Sequence, residues 1–188
     1  MEIYLVRHTT PNIEKGICYG QSDLGVTSTF PSEVKEIHQQ IPLQEVSKVY
    51  SSPLQRCKLL AKTFSEKITF DDRLKELNFG DWELRPWDEI HSKVLDPWMN
   101  DFVNVQVPNG ESYIMLQKRA LEFFFSLDHA SNEKNIIVSH AGIIRSIVSH
   151  IQNIDLKNSF TIKLEYGHVI TIKTTKDQFT ITTGLNLS

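Results

Sequence analysis

The sequence predicts an α/β fold, a three-layer α/β/α sandwich with a mostly parallel central sheet and antiparallel C-terminal edge strands. Three observations carry that prediction. Short apolar runs rich in β-branched residues alternate with helix-like segments through the first 150 residues, which implies parallel strands covered on both faces. Two of those runs, Ile3-Tyr4-Leu5-Val6 and Ile136-Ile137-Val138, end on polar residues, Arg7-His8 and Ser139-His140. From Phe160 onward the pattern becomes period-two alternation, which predicts antiparallel strands. With 188 residues and no repeat, low-complexity tract or linker, residues 1–188 read as a single domain.

Residues 2–7 form the first predicted strand. Thr9 to Phe30 is rich in Gly, Pro, Thr, Ser and Asn and reads as loop, long enough to suggest a functional one. Pro31 to Gln40 is a short helix with Pro31 at its start and Val34, Ile37 and Ile41 at helical spacing. Val46 to Tyr50 is the second strand. Ser52-Pro53 predicts the next helix start, with Ser52 as N-cap and Leu54, Cys57, Ala61 and Phe64 on one face. Ile68 to Phe70 is a third short strand, followed by an irregular aromatic stretch to Glu83. Pro86 to Met99 reads as helix broken near Asp96-Pro97. Ser112 to Leu127 is a strong helix, Asn135 to Ser139 a strand, and Ala141 to Ile151 a helix. Thr161 to Leu164, Val169 to Ile172 and Gln178 to Thr183 are the closing antiparallel strands.

Net charge is -3 with a pI near 6.2, so no nucleic-acid or membrane footprint is expected. No run approaches the roughly 18 apolar residues of a membrane span, and Met1-Glu2 leads straight into a strand without a secretory signal. Cys18 and Cys57 have no metal-ligand spacing and fit free thiols in a reducing cytoplasm. No pattern fixes the oligomeric state, and a homodimer stays open.

In a parallel sheet, ligands sit just outside the carboxyl ends of the strands. Arg7, His8, Arg56 and His140 are all placed at that rim. Arg56 falls in the first turn of its helix, the wrong end for a cation unless an anion binds there. Guanidinium forks flanking imidazoles suit a phosphate, and a neutral imidazole can attack phosphorus. Taken singly, each residue has a bland reading as a strand-end or surface group; their joint placement does not.

Four segments then carry a resemblance: Arg7-His8, Ser52-Pro53-Leu54-Gln55-Arg56, Leu74 to Glu83, and Ser139-His140-Ala141-Gly142-Ile143-Ile144-Arg145. In that order they resemble the signatures of the histidine phosphatase superfamily, the phosphoglycerate mutase-like group, over residues 7 to 145. The compact length and the Gly16 to Asp23 loop most resemble its α-ribazole phosphatase branch, in cobalamin biosynthesis. The resemblance implies His8 as nucleophile, Glu76 as general acid and base, and Arg7, Arg56 and His140 as phosphoryl ligands. It adds Gln21 and Ala141 as substrate contacts and implies no metal and no cofactor. Thr9 stands where the family usually has glycine. Glu14 stands where many members carry asparagine, so either the loop is shifted and Asn12 serves that contact or the contact is missing. Arg145 is expected to be an ion-pairing helix residue.

The expected activity is metal-independent hydrolysis of a small-molecule phosphomonoester through phosphohistidine. Two alternatives stay open: phosphoglycerate mutase-type transfer, and a non-catalytic phospholigand-binding module on the same fold.

Overall fold

The computed structural model describes residues 1–176 and 178–187. Six strands form one sheet, in the order β3-β2-β4-β1-β5-β6. These are β1 (Glu2–Arg7), β2 (Lys48–Ser51), β3 (Ile68–Phe70), β4 (Lys134–Ser139), β5 (Val169–Thr174) and β6 (Phe179–Thr183). The first four run parallel; β5 and β6 are antiparallel on the β1 side. Among the described residues five α-helices accompany them: α1 (Phe30–His38), α2 (Gln55–Ala61), α3 (Ser92–Asn100), α4 (Tyr113–Phe125) and α5 (Ala141–Ile151). The predicted three-layer α/β/α architecture is the observed one.

Strand alternation divides the core. Ile3 and Leu5 of β1, with Ile137 of β4, face one layer and pack with Leu116 and Phe123 of α4 and Ile143 and Ile147 of α5. Tyr4, Val6, Ile136 and Val138 face the other layer, with Ile37 of α1 and Cys57 and Leu60 of α2. Each fully buried aliphatic side chain here contributes about 1.5–3 kcal/mol. A third cluster, around Cys18, Trp82, Ile90 and Val107, fixes the irregular 79–107 segment against the 9–29 loop. Among the described residues no helix is long and apolar enough to cross a membrane.

Three local expectations need correction. α2 starts at Gln55, not Pro53, because Ser52, just past the end of β2, is still tied to the sheet: its N–H donates to the Val138 carbonyl (3.0 Å). The break expected at Pro97 falls earlier, at Ile90-His91. A 3₁₀ turn over Trp87–Glu89 ends there, and α3 runs on through Pro97 to Asn100. Thr161 to Leu164 is not a ladder strand. Its first residue ends a 3₁₀ turn (Leu156–Thr161), and Ile162 makes only an isolated bridge to Leu187.

Candidate active site

Parallel register builds the site. Arg7 of β1 lies opposite Ser139 of β4, so the next residues, His8 and His140, leave the sheet side by side. The His8 N–H donates to the Ser139 carbonyl (3.0 Å), and the two imidazole centroids are 5.1 Å apart at 61°. Ser51 of β2 pairs with Val138, which sets Ser52 beside His140. Three adjacent strand ends therefore put these side chains on one rim, as the sequence pattern implied.

The hydrogen bonds assign the His8 tautomer. Nδ1 is 2.7 Å from the Thr9 carbonyl oxygen, which can only accept, so Nδ1 carries the proton. Nε2 therefore carries the ring's one lone pair, which accepts the Nε–H of Arg56 at 3.3 Å. His8 is 2 % exposed. Burial, then the Arg56 and Arg7 charges, hold its pKa well below the ordinary imidazole value, against the opposing pull of the Thr9 carbonyl. His140 is fully buried, with Nε2 2.8 Å from Ser52 Oγ and 3.4 Å from Cys57 Sγ. Burial, followed by Arg56, His8, Arg119 and Arg7, holds it neutral as well.

Arg56 is fully buried without a carboxylate partner among the described residues. Its Nη1 donates to the Ser22 carbonyl (2.9 Å) and its Nη2 to the Gly20 carbonyl (2.5 Å). Those carbonyls are placed by Glu83, whose carboxylate accepts the N–H groups of Gly20 (3.0 Å), Gln21 (2.7 Å), Ser22 (3.1 Å) and Phe79 (3.1 Å), and the Ser22 hydroxyl. Burial pushes the Glu83 pKa up, but the Ser22 hydroxyl and the loop N–H groups outweigh it and hold the carboxylate below its usual range. Asp23 Oδ1 accepts the Gln55 N–H at 2.6 Å and so caps α2 from the same loop, the role expected of Ser52.

Arg7 donates Nη1–H to the Leu164 carbonyl (2.5 Å) and lies 4.0 Å above the Tyr166 ring. Its Nε is buried with no acceptor among the described residues, an arrangement that favours an arriving anionic oxygen. Tyr166 also meets Tyr19, hydroxyl to hydroxyl at 2.8 Å, beside the two histidines.

Glu76 comes from the irregular segment, yet its carboxylate is well fixed. Oε1 accepts the Leu77 N–H (2.9 Å) and Oε2 the Gly142 N–H (3.1 Å), which ties it to the first turn of α5. A side chain at Gly142 would put Cβ 2.2 Å from Glu76 Oε1, so glycine there is what admits the carboxylate. Behind it, Arg119 donates to the carbonyls of Glu76 (2.9 Å) and Arg73 (2.9 Å) and is itself paired with Glu111 (2.8 Å). Gln21 Nε2 also donates to the Glu76 carbonyl (3.0 Å). Gln21 therefore ties the loop to Glu76 and is not among the residues lining the adjoining cavity.

That cavity has a volume of about 250 Å³. Arg7, His8, Glu76 and Ala141 form its polar end, and Tyr19, Phe79, Trp87, Trp98, Phe102 and Phe160 much of the rest. Trp87 and Trp98 stack at 6.0 Å and 26°, while Trp82 is buried in the core behind them. Arg56 and His140 lie next to His8 but off the cavity wall. Asn12 and Glu14 are exposed and do not line it. Arg145 does, and it has no carboxylate within 4 Å among the described residues, contrary to the expected ion pair.

A lone-pair imidazole with two guanidinium groups beside it, and a carboxylate across the same cavity, is an arrangement that can bind and attack a phosphoryl group. Comparison with known proteins gives the arrangement its family. The sequence matches the model of the histidine phosphatase superfamily (branch 1) over residues 3–186. The chain belongs to that superfamily. It is similar to a protein of Hydrogenobacter thermophilus named "Putative phosphoserine phosphatase 2", with 29% identity over 90% of this chain and 88% of that relative. It is also similar to the adenosylcobalamin/alpha-ribazole phosphatase of Salmonella typhimurium, with 25% identity over 89% of this chain and 87% of the other. The solved alpha-ribazole phosphatase of Shigella flexneri has the same fold, with a TM-score of 0.87 at 21% identity over 100% of this chain and 96% of that one. As a histidine phosphatase superfamily member the chain keeps the resemblance's four segments together at one rim. The supporting roles of Glu83, Arg119, Asp23 and Tyr166 escaped sequence reasoning, although Glu83 and Asp23 both lie inside stretches the sequence singled out.

Proposed function

We propose that the protein is a phosphomonoester hydrolase acting through phosphohistidine at His8. The observation that carries this reading is the fixed His8 tautomer, with Nδ1–H spent on the Thr9 carbonyl and the Nε2 lone pair directed toward Arg56. In the first step Nε2 attacks phosphorus, the bond to the leaving oxygen breaks, and Glu76 gives that oxygen its proton. In the second step Glu76 takes a proton from water, the water oxygen attacks phosphorus, and the P–N bond breaks to return neutral His8 and free phosphate. Arg7 and Arg56 neutralise the phosphoryl oxygens, and His140 adds a further donor as charge develops. General acid–base help of the Glu76 kind is worth about 10²–10⁴ in rate.

The aromatic cavity beside Glu76 is where the leaving group lies, and its lining favours an apolar or aromatic body. By likeness to the relatives, α-ribazole 5′-phosphate and phosphoserine are the candidate metabolites to try. The test is hydrolysis of p-nitrophenyl phosphate in excess EDTA, with His8→Ala in parallel. Turnover that survives the chelator and vanishes in H8A is the expected result; turnover unchanged in H8A removes His8 as nucleophile. Binding of orthophosphate with no turnover across a phosphomonoester panel would favour a phospholigand-binding module instead.

A further inference from the structure

Arg145 is the one cation of the cavity wall that the phosphatase reading leaves without a task. It projects from α5 beside Phe160, its guanidinium 4.9 Å above that ring. Its Nε–H donates to the Ile162 carbonyl (3.0 Å), and neither Nη group has a protein acceptor among the described residues. Burial disfavours its charge most; Tyr113 favours it, Arg7 opposes it, and Glu76 and Glu165 favour it from beyond ion-pair distance. A half-buried guanidinium with donors open to the cavity and no carboxylate among the described residues stands out in a wall that is otherwise mostly aromatic. Arg7 differs: it has the Leu164 carbonyl, the Tyr166 face and a place against the phosphoryl group.

We infer that Arg145 binds a carboxylate carried by the leaving group, so that the substrate class is a phosphomonoester of an apolar or aromatic hydroxy acid. This rests on the phosphatase reading and deepens it. The phosphoryl group takes Arg7 and Arg56 at one end, the apolar body lies on the Trp87–Trp98 wall, and the carboxylate meets the Nη donors of Arg145. A planar guanidinium matches a carboxylate in two parallel hydrogen bonds. On this assignment α-ribazole 5′-phosphate, whose leaving group has no carboxylate, ranks below an acidic aryl phosphate.

The experiment compares kcat/KM for 3- and 4-carboxyphenyl phosphate with the neutral, near-isosteric 3- and 4-carbamoylphenyl phosphates. Wild type is expected to favour at least one carboxylate over its amide by about tenfold, chiefly through KM. Arg145→Gln should bring that ratio close to one, and Arg145→Lys should keep part of it. If Arg145 served only to pin the Ile162 carbonyl, R145Q would lower both members of a pair equally and leave the ratio unchanged, which overturns the assignment. Equal turnover of acid and amide by wild type at both positions overturns it as well, while leaving the phosphatase standing. Failure of wild type to hydrolyse any of the four, or p-nitrophenyl phosphate, removes the phosphatase reading and this inference with it.

Discussion

His8 and His140 are neutral because they are buried among guanidinium groups, and that has consequences for pH. Both folded-state pKa values lie below the unfolded imidazole value of about 6.5. As pH falls below that value the unfolded chain takes up protons that the folded chain refuses, so stability declines. Glu83 acts in the same direction. Its depressed pKa stabilises the fold above the ordinary carboxylate pKa of about 4.3, and that contribution is lost as pH falls through the folded value. Thermal unfolding followed from pH 7.5 to 4 should therefore show Tm falling from about pH 6.5 downward. Glu83→Gln should remove part of the loss at the acid end, and kcat/KM should show no acid limb at the usual imidazole pKa. The same variant weakens the acceptor for four loop N–H groups, so the Gly20 and Ser22 carbonyls hold Arg56 less firmly. A fall of about tenfold or more in kcat/KM is expected, measured with p-nitrophenyl phosphate.

At the scale of elements, the first turn of α5 does two jobs. It carries Ala141 on the cavity wall and presents the Gly142 N–H to Glu76. Alanine is worth up to about 1 kcal/mol more than glycine within a helix, but here its Cβ would displace the end of the Glu76 side chain and press on Leu116 Cδ1 at 3.2 Å. Gly142→Ala should therefore leave the melting temperature within a few degrees of wild type and lower kcat by about 10²-fold, the share of general acid–base catalysis. A large stability loss with kcat intact would show that the glycine serves packing instead. The short α2 is a second case. Its N-terminus is completed by Asp23 from the 9–29 loop, so the loop that holds Arg56 by carbonyls also caps the helix that carries it.

Across the whole molecule, parallel register is what converts three separate strand ends into one cluster of imidazoles and guanidinium groups, and if that cluster binds phosphate as proposed, ligand linkage should report it. Orthophosphate at about 100 times its Kd should stabilise the fold by about 2.7 kcal/mol. Titration calorimetry and melting should both show this in wild type and lose it in Arg7→Gln, which removes the guanidinium and its buried, unpartnered Nε donor. How far this organisation can be read in advance differs by residue. Arg7, His8 and His140 could be read because each ends an apolar run, and Arg56 because a cation in a first helical turn is locally unfavourable. Glu76 stood out only through the family resemblance, since it lies in a stretch without periodicity. Glu83, Arg119 and Tyr166 act through partners far away in the chain; Arg119 reaches the Glu76 carbonyl across 43 residues and Glu83 reaches Gly20 across 63. Thr161 to Leu164 misled in the opposite way, because alternation shows which residues would face a core but not whether a neighbouring strand is there to pair.

The sequence by itself determined the alternation of strands and helices, the parallel sheet with its antiparallel edge, and the residues at the strand ends. Those follow from local periodicity, polarity and breaker residues, which act within a few positions of one another. The tertiary structure alone decided which His8 nitrogen carries the proton, which cation of the cavity wall lacks a carboxylate among the described residues, and how the aromatic cavity is walled. Those depend on dielectric and on contacts between segments tens of residues apart, and only the packed sheet with its loops brings such segments together.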